Sequence, residues 1–132
     1  VRGETCCIMN QVQTVLPQYK AGKVRLLGVT TAKPVAAVKE VPTIASSGIP
    51  GTQGFDSSIW FGIFAPKGTD ARIVDKLNAA IRSVLEQPEI REKFEGQGNT
   101  VRIETPAQFK ATVHANRVKW AEVAKAANIS ID

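Results

Sequence analysis

The sequence predicts an α/β protein, in which short buried strands alternate with amphipathic helices. Three observations predict it. Compact apolar runs of strand length occur at Thr5–Met9, Val24–Thr30 and Ile59–Ala65. Stretches with helical spacing follow the first and the third of these runs. Proline and glycine mark the joins between them.

The elements follow in order. Thr5–Met9 (TCCIM) reads as a first buried strand, with polar Asn10 and Gln11 after it. From Gln11 to Lys20, Val12, Val15, Leu16 and Tyr19 keep helical spacing. Pro17 lies inside that pattern, so the helix is expected to be short or kinked. Ala21-Gly22 ends it, because glycine suits the position after a helix. Val24–Thr30 (VRLLGVT) is the second expected strand, and Thr30-Thr31-Ala32-Lys33-Pro34 opens a loop. Residues 35–54 are rich in Pro, Gly, Ser and Ala. One helical turn is expected over Thr43–Ser47, with Pro42 at a first-turn position. Ile59–Ala65 is the third expected strand.

A strong helix follows from Asp70 to about Glu86. Ile73, Val74, Leu77, Ile81, Val84 and Leu85 form a single apolar stripe on it. Thr69 or Asp70 is placed to cap its amino end. Pro88 begins a further helix over about 88–95, with Ile90 and Phe94 expected to face inward, and Gly96 and Gly98 stop it. Thr100–Glu104 (TVRIE) alternates like a short strand. Thr105-Pro106-Ala107-Gln108 spells a capping box with proline at the first helical position. The last helix is expected over about 106–127, with Phe109, Val113, Trp120, Ala124 and Ala127 along one face.

At 132 residues, with 43% hydrophobic and 22% charged content, the chain suits one domain with a real core. The formal net charge of +5 favours anions. The basic residues are scattered, however. Their tightest groups are Lys20, Lys23 and Arg25, then Lys110, Arg117 and Lys119. No basic run interleaves with aromatics, so no nucleic-acid partner is expected. No apolar run approaches the ~20 residues of a membrane span. No signal peptide is visible, and Val1-Arg2-Gly3 runs straight into an apolar segment. The expectation is an internal segment of a longer protein, or one whose start is missing. Cys6 and Cys7 are adjacent, and a disulfide between neighbours is strained. They read as two small buried thiols in the first strand.

No catalytic constellation stands out. His114 is the one histidine and reads as a surface residue within the last helix. The glycine spacing fits neither a phosphate loop nor a dinucleotide fingerprint. Ser57 and Ser58 lie beside Asp56 without a nucleophile elbow. No enzyme activity, metal or cofactor is expected. What remains is polar groups at the ends of apolar runs, where α/β proteins place ligands. The first set is Asn10, Gln11, Gln13 and Thr14, at a helix amino end that presents free N–H groups and partial positive charge. The second is Asp56, Ser57, Ser58 and Trp60, the indole offering an apolar wall with an N–H donor. Ordinary capping and loop solvation is the alternative for both.

The words GKVRLLGVTTAK, EVPTIASSGIPG, FDSSIWFGIFAPKGT and IVDKLNAAIRSVLEQPEIREKFEGQG occur here in that order. Together they resemble the Bug, or tripartite tricarboxylate receptor (TctC-like), family of extracytoplasmic solute-binding proteins. The resemblance runs from Gly3 onward and corresponds to the carboxy-terminal portion of that family. It implies part of a two-lobed type II periplasmic-binding-protein fold with strand–helix alternation and a long carboxy-terminal helix. Residues 1–57 would complete the second lobe. Residues 58–132 would form the crossover strand and the helices that return to the first lobe, whose amino-terminal part is absent here.

The implied function is capture of a small carboxylate in the periplasm for a tripartite tricarboxylate transporter, whose membrane subunits are the partners. Without a transport role, the alternative is a ligand-sensing or protein-interaction module. By position, the resemblance points to Asn10, Gln11, Thr14, Asp56, Ser57, Ser58 and Trp60 as ligand contacts. Family chains are much longer, so exposed strand edges would be expected to favour a homodimer through paired or swapped elements.

Overall fold

The computed structural model describes residues 5–129. They form four α-helices: α1 (Val12–Lys20), α2 (Ala71–Leu85), α3 (Pro88–Gly96) and α4 (Pro106–Ala126). Two short 3-10 turns, Ala36–Val38 and Ile44–Ser46, lie between α1 and α2. None of these helices is long and apolar enough to cross a membrane.

The α/β expectation is not met. Among the described residues no strand forms, so the strand–helix alternation of a type II binding-protein fold is absent. The segments read as strands, 5–9, 24–30, 59–65 and 100–104, carry no β-ladder. One parallel bridge, between Val29 and Thr43, is the β pairing present among these residues. There, the Val29 N–H donates to the Pro42 carbonyl and the Ile44 N–H to the Val29 carbonyl, both at 2.9 Å. The physical reason is that a strand is not a local object. Its N–H and C=O groups are satisfied by neighbours alongside, and an apolar run supplies none of them. The expected inward side chains are accordingly exposed, with Ile8 at 77% and Phe61 at 81%. Cys6 and Cys7 are exposed too, not buried, with their sulfurs 3.9 Å apart.

The helices obey their local signals more closely. α1 has Pro17 inside it and ends at Lys20, and the φ of +67° at Gly22 turns the following Lys23 N–H back to the Gln18 carbonyl at 2.9 Å. Asp70 caps α2, its Oδ1 accepting the Arg72 N–H at 2.8 Å, and its Oδ2 pairs with the Arg72 guanidinium at 2.9 Å. That side-chain hydrogen bond, joined by the backbone one, holds the Asp70 carboxyl below its ordinary range. The capping box of α4 is complete. The Gln108 N–H donates to the Thr105 hydroxyl at 3.2 Å, and the Thr105 N–H to Gln108 Oε1 at 2.9 Å. Thr43, rather than Pro42, opens the turn at 44–46, accepting the Ser46 N–H at 3.1 Å. The apolar stripe of α2 is only partly covered, and Ile73, Leu77 and Val84 are exposed. Phe94 on α3 is exposed as well, against the inward position expected of it.

Two compact units divide the chain. One comprises Val1–Phe64 with Leu85–Val101, the other Ala65–Val84 with Arg102–Asp132. In the first unit Leu16, Val29, Val35, Val38 and Val41 form the buried cluster, with Val12, Tyr19, Leu26 and Ala37 packed on it. In the second, the Asn78 side-chain amide donates to the Glu104 carbonyl at 3.0 Å. The Glu104 carboxylate accepts from Arg102 and, at 3.2 Å, from Thr112 of α4. Thr100–Glu104, expected as a strand, is thus tied by side chains instead of a ladder.

On the rim of the first unit, Tyr19 donates its hydroxyl proton to Glu40 at 2.5 Å. This bond raises the Tyr19 pKa and lowers that of Glu40. The lowered carboxyl contributes stability above its ordinary titration range and loses it as pH falls through the folded value. The raised phenol contributes below about 10 and loses it as pH climbs through the folded value. Tyr19→Phe is therefore expected to lower the melting temperature slightly at neutral pH. The gap to wild type should close at both acid and alkaline ends. A pH series of thermal melts checks this, and a gap that stays constant with pH would rule out the pair as its source.

Candidate functional site

The expected site residues fall in two sets within the first unit. Asn10, Gln11, Gln13 and Thr14 stand at the amino end of α1. Asn10 Oδ1 accepts the Gln11 N–H at 2.8 Å, and the Thr14 N–H donates to the Gln11 carbonyl at 3.1 Å. Gln11 is the N-cap residue yet makes no side-chain cap bond, and the first turn carries no acidic residue. A helix start of this kind offers N–H donors and partial positive charge to an anion. Gln13 turns elsewhere and accepts from the Asn99 amide at 3.5 Å.

The second set runs through Asp56, Ser57, Ser58 and Trp60. Ser57 and Trp60 are half-buried, Asp56 and Ser58 exposed. Asp56 and Ser57 lie against the turn that begins at Thr30. Asp56 Oδ1 accepts the Ala32 N–H at 3.1 Å, and the Ser57 N–H donates to the Thr30 carbonyl at 2.8 Å.

One core carries both sets. Leu16 of α1 and Val29, the residue before Thr30, belong to the same buried cluster. Gly98 adds a second constraint, because a side chain built there would approach Val12 Cγ1 to 2.6 Å. The start of α1 is therefore held by Leu16 below and the 98 turn beside it. The turn over Thr30–Lys33 lies outside the site residues that the sequence points to. Its signal was visible, since TTAKP follows directly on an apolar run as Asn10 and Gln11 do.

Among the described residues no group of His, Cys, Asp and Glu is placed to hold a metal. His114 is exposed on α4. The arrangement offers amides, hydroxyls and a helix amino end, chemistry that holds an anion.

Comparison with known proteins decides the class. Residues 2–129 match the family described as "Tripartite tricarboxylate transporter family receptor". The chain belongs to that receptor family. Protein BugT of Bordetella pertussis is 32% identical over 123 residues, covering 93% of this chain and 37% of BugT. Among solved structures, R. palustris Rpa4515 with adipate is similar at 33% identity and a TM-score of 0.78, over 90% of this chain and 39% of that one. The periplasmic binding protein BugD is similar at 33% identity and a TM-score of 0.75, over 88% of this chain and 38% of BugD. The chain thus spans less than two-fifths of the length of these receptor-family relatives. Membership places it among receptors rather than enzymes.

Proposed function

We propose that this chain serves an extracytoplasmic receptor that captures a small organic carboxylate for a tripartite tricarboxylate transporter. The observation that carries the reading is the likeness, at 33% identity over 90% of the chain, to a solved relative holding adipate. Asn10, Gln11 and Thr14 at the start of α1, with Asp56, Ser57, Ser58 and Trp60, are the proposed ligand segments. An uncapped helix start receives a carboxylate without a dedicated arginine. The net charge of +5 draws anions toward it. Residues 1–57 and 58–132 are read as contributions to different lobes of the receptor, and the membrane subunits of the transporter as its partners. Exposed Ile59, Phe61, Ile63 and Phe64 support a homodimer through paired or swapped elements.

Calorimetric titration with adipate, citrate, succinate and glutamate tests the reading. Saturable heat is expected with at least one. Replacing Asn10 and Gln11 together by alanine should weaken it about tenfold or more, the value of one hydrogen bond to a charged group. No heat with any of the four would sink the reading. Light scattering on the same sample tests self-association, and a monomer at all concentrations would count against the dimer.

A further inference from the structure

Every sulfur of this chain lies within four residues. Cys6 and Cys7 are its two cysteines and Met9 its one methionine. All three side chains are exposed. On a straight strand, neighbouring side chains point to opposite faces. Here the backbone bends at Cys6, and the Cys6 and Cys7 sulfurs stand 3.9 Å apart. A disulfide needs its sulfurs at about 2.05 Å. Closing one would also strain the chain, because adjacent Cα atoms are about 3.8 Å apart and disulfides usually span about 4.4–6.8 Å. The same separation suits a shared cation. A metal about 2.3 Å from each thiolate meets two sulfurs 3.9 Å apart at an angle of about 116°. That angle lies between tetrahedral and trigonal coordination, so the pair can chelate with little movement.

The donors identify the cation. Structural zinc takes four ligands. Among the described residues no group of three or more His, Cys, Asp and Glu is placed to supply them. Thiolates and a thioether are soft donors, and soft donors select Cu(I). Met9 is near enough to join the pair, its Cα lying at most about 7 Å from that of Cys7. We propose that Cys6, Cys7 and Met9 form a Cu(I) site, with the two thiolates as the chelating pair and the thioether as third donor. Each thiol releases its proton to solvent as its sulfur bonds copper, and no electron is transferred. The site stands apart from the carboxylate reading, because none of its three residues is among the proposed ligand segments.

Anaerobic titration of the reduced protein into the coloured Cu(I)–bicinchoninate complex tests it, with ascorbate holding the copper as Cu(I). Wild type should bleach the complex by withdrawing one copper per chain, and more strongly as pH rises, because binding releases protons. Cys6→Ser and Cys7→Ser should each weaken copper by more than the ~100-fold that loss of an outer-shell partner can cost. Met9→Leu should weaken it too, by less than either serine variant. Wild type alkylated with iodoacetamide should take no copper, a loss that involves no substitution. An equal concentration of Zn(II) should leave the copper in place. Copper left on bicinchoninate by wild type would overturn the proposal. So would wild-type affinity in either serine variant, in Met9→Leu or in the alkylated protein. One copper per two chains would overturn it as well, since the metal would then bridge copies, and displacement by zinc would refute the soft-metal assignment.

Discussion

Leu16→Ala should lower the free energy of unfolding by about 2–5 kcal/mol, the range for truncating a large buried aliphatic side chain. Leu16 is 6% exposed and packs in a cluster of only five buried apolar residues. So small a cluster has little capacity to close around a lost side chain, and the cavity persists. Native proteins hold about 5–15 kcal/mol in total, so the loss is a large share. All five residues lie in the unit that carries both ligand segments. Amide exchange should therefore quicken first in α1, the turn at 30–33 and the 36–46 region. The capping box of α4 should be spared, since it belongs to the other unit. Denaturant titration gives the magnitude, and exchange gives the location. A loss below about 1 kcal/mol would show that the cluster is not the core of this unit.

Gly98→Ala should cost about 2–5 kcal/mol, from two sources. Gly98 has φ +86°, where a side chain costs roughly 1–2 kcal/mol. The added Cβ would also stand 2.6 Å from Val12 Cγ1 and 3.1 Å from Val12 Cβ. Relieving such a clash costs about 1–3 kcal/mol. Val12 is the first residue of α1, directly after Gln11, so any relief moves the proposed ligand segment. Adipate affinity should fall together with stability. Adding Val12→Ala to Gly98→Ala should recover the part of the clash made by Cγ1 and leave the Cβ contact and the backbone part, giving a coupling energy on a double-mutant cycle. Strict additivity of the two substitutions would mean that the two residues do not press on one another.

These expectations depend on features of unequal legibility. Helix ends were readable because their causes lie within four residues. Thr105 and Gln108 close a capping box on each other, and Asp70 caps its own helix. The extended segments were readable as apolar but not as strands. Ile8, Leu27, Phe61 and Ile63 have the side chains of buried strands and are exposed. Pairing depends on what lies alongside, which the run itself does not encode. The same limit applies at the site. Asn10 and Gln11 were legible as polar residues at a helix start. The part of Ala32 in the second set was not, because it offers a backbone amide, and every residue but proline has one. Asp56 is legible as a polar residue, but its bond with the Ala32 N–H follows only from the fold.

α1 has nine residues with Pro17 among them. Isolated helices shorter than about 12–15 residues are marginal in water, and the missing proline N–H removes a rung. This helix has no independent existence; it forms when Leu16 is covered. Whatever binds at its amino end is therefore linked to the same folding equilibrium, and occupancy appears as added stability. A ligand at a hundred times its dissociation constant adds about 2.7 kcal/mol. That is comparable to the effect of losing Leu16, so a saturating ligand should restore much of the folded population of a core-weakened variant.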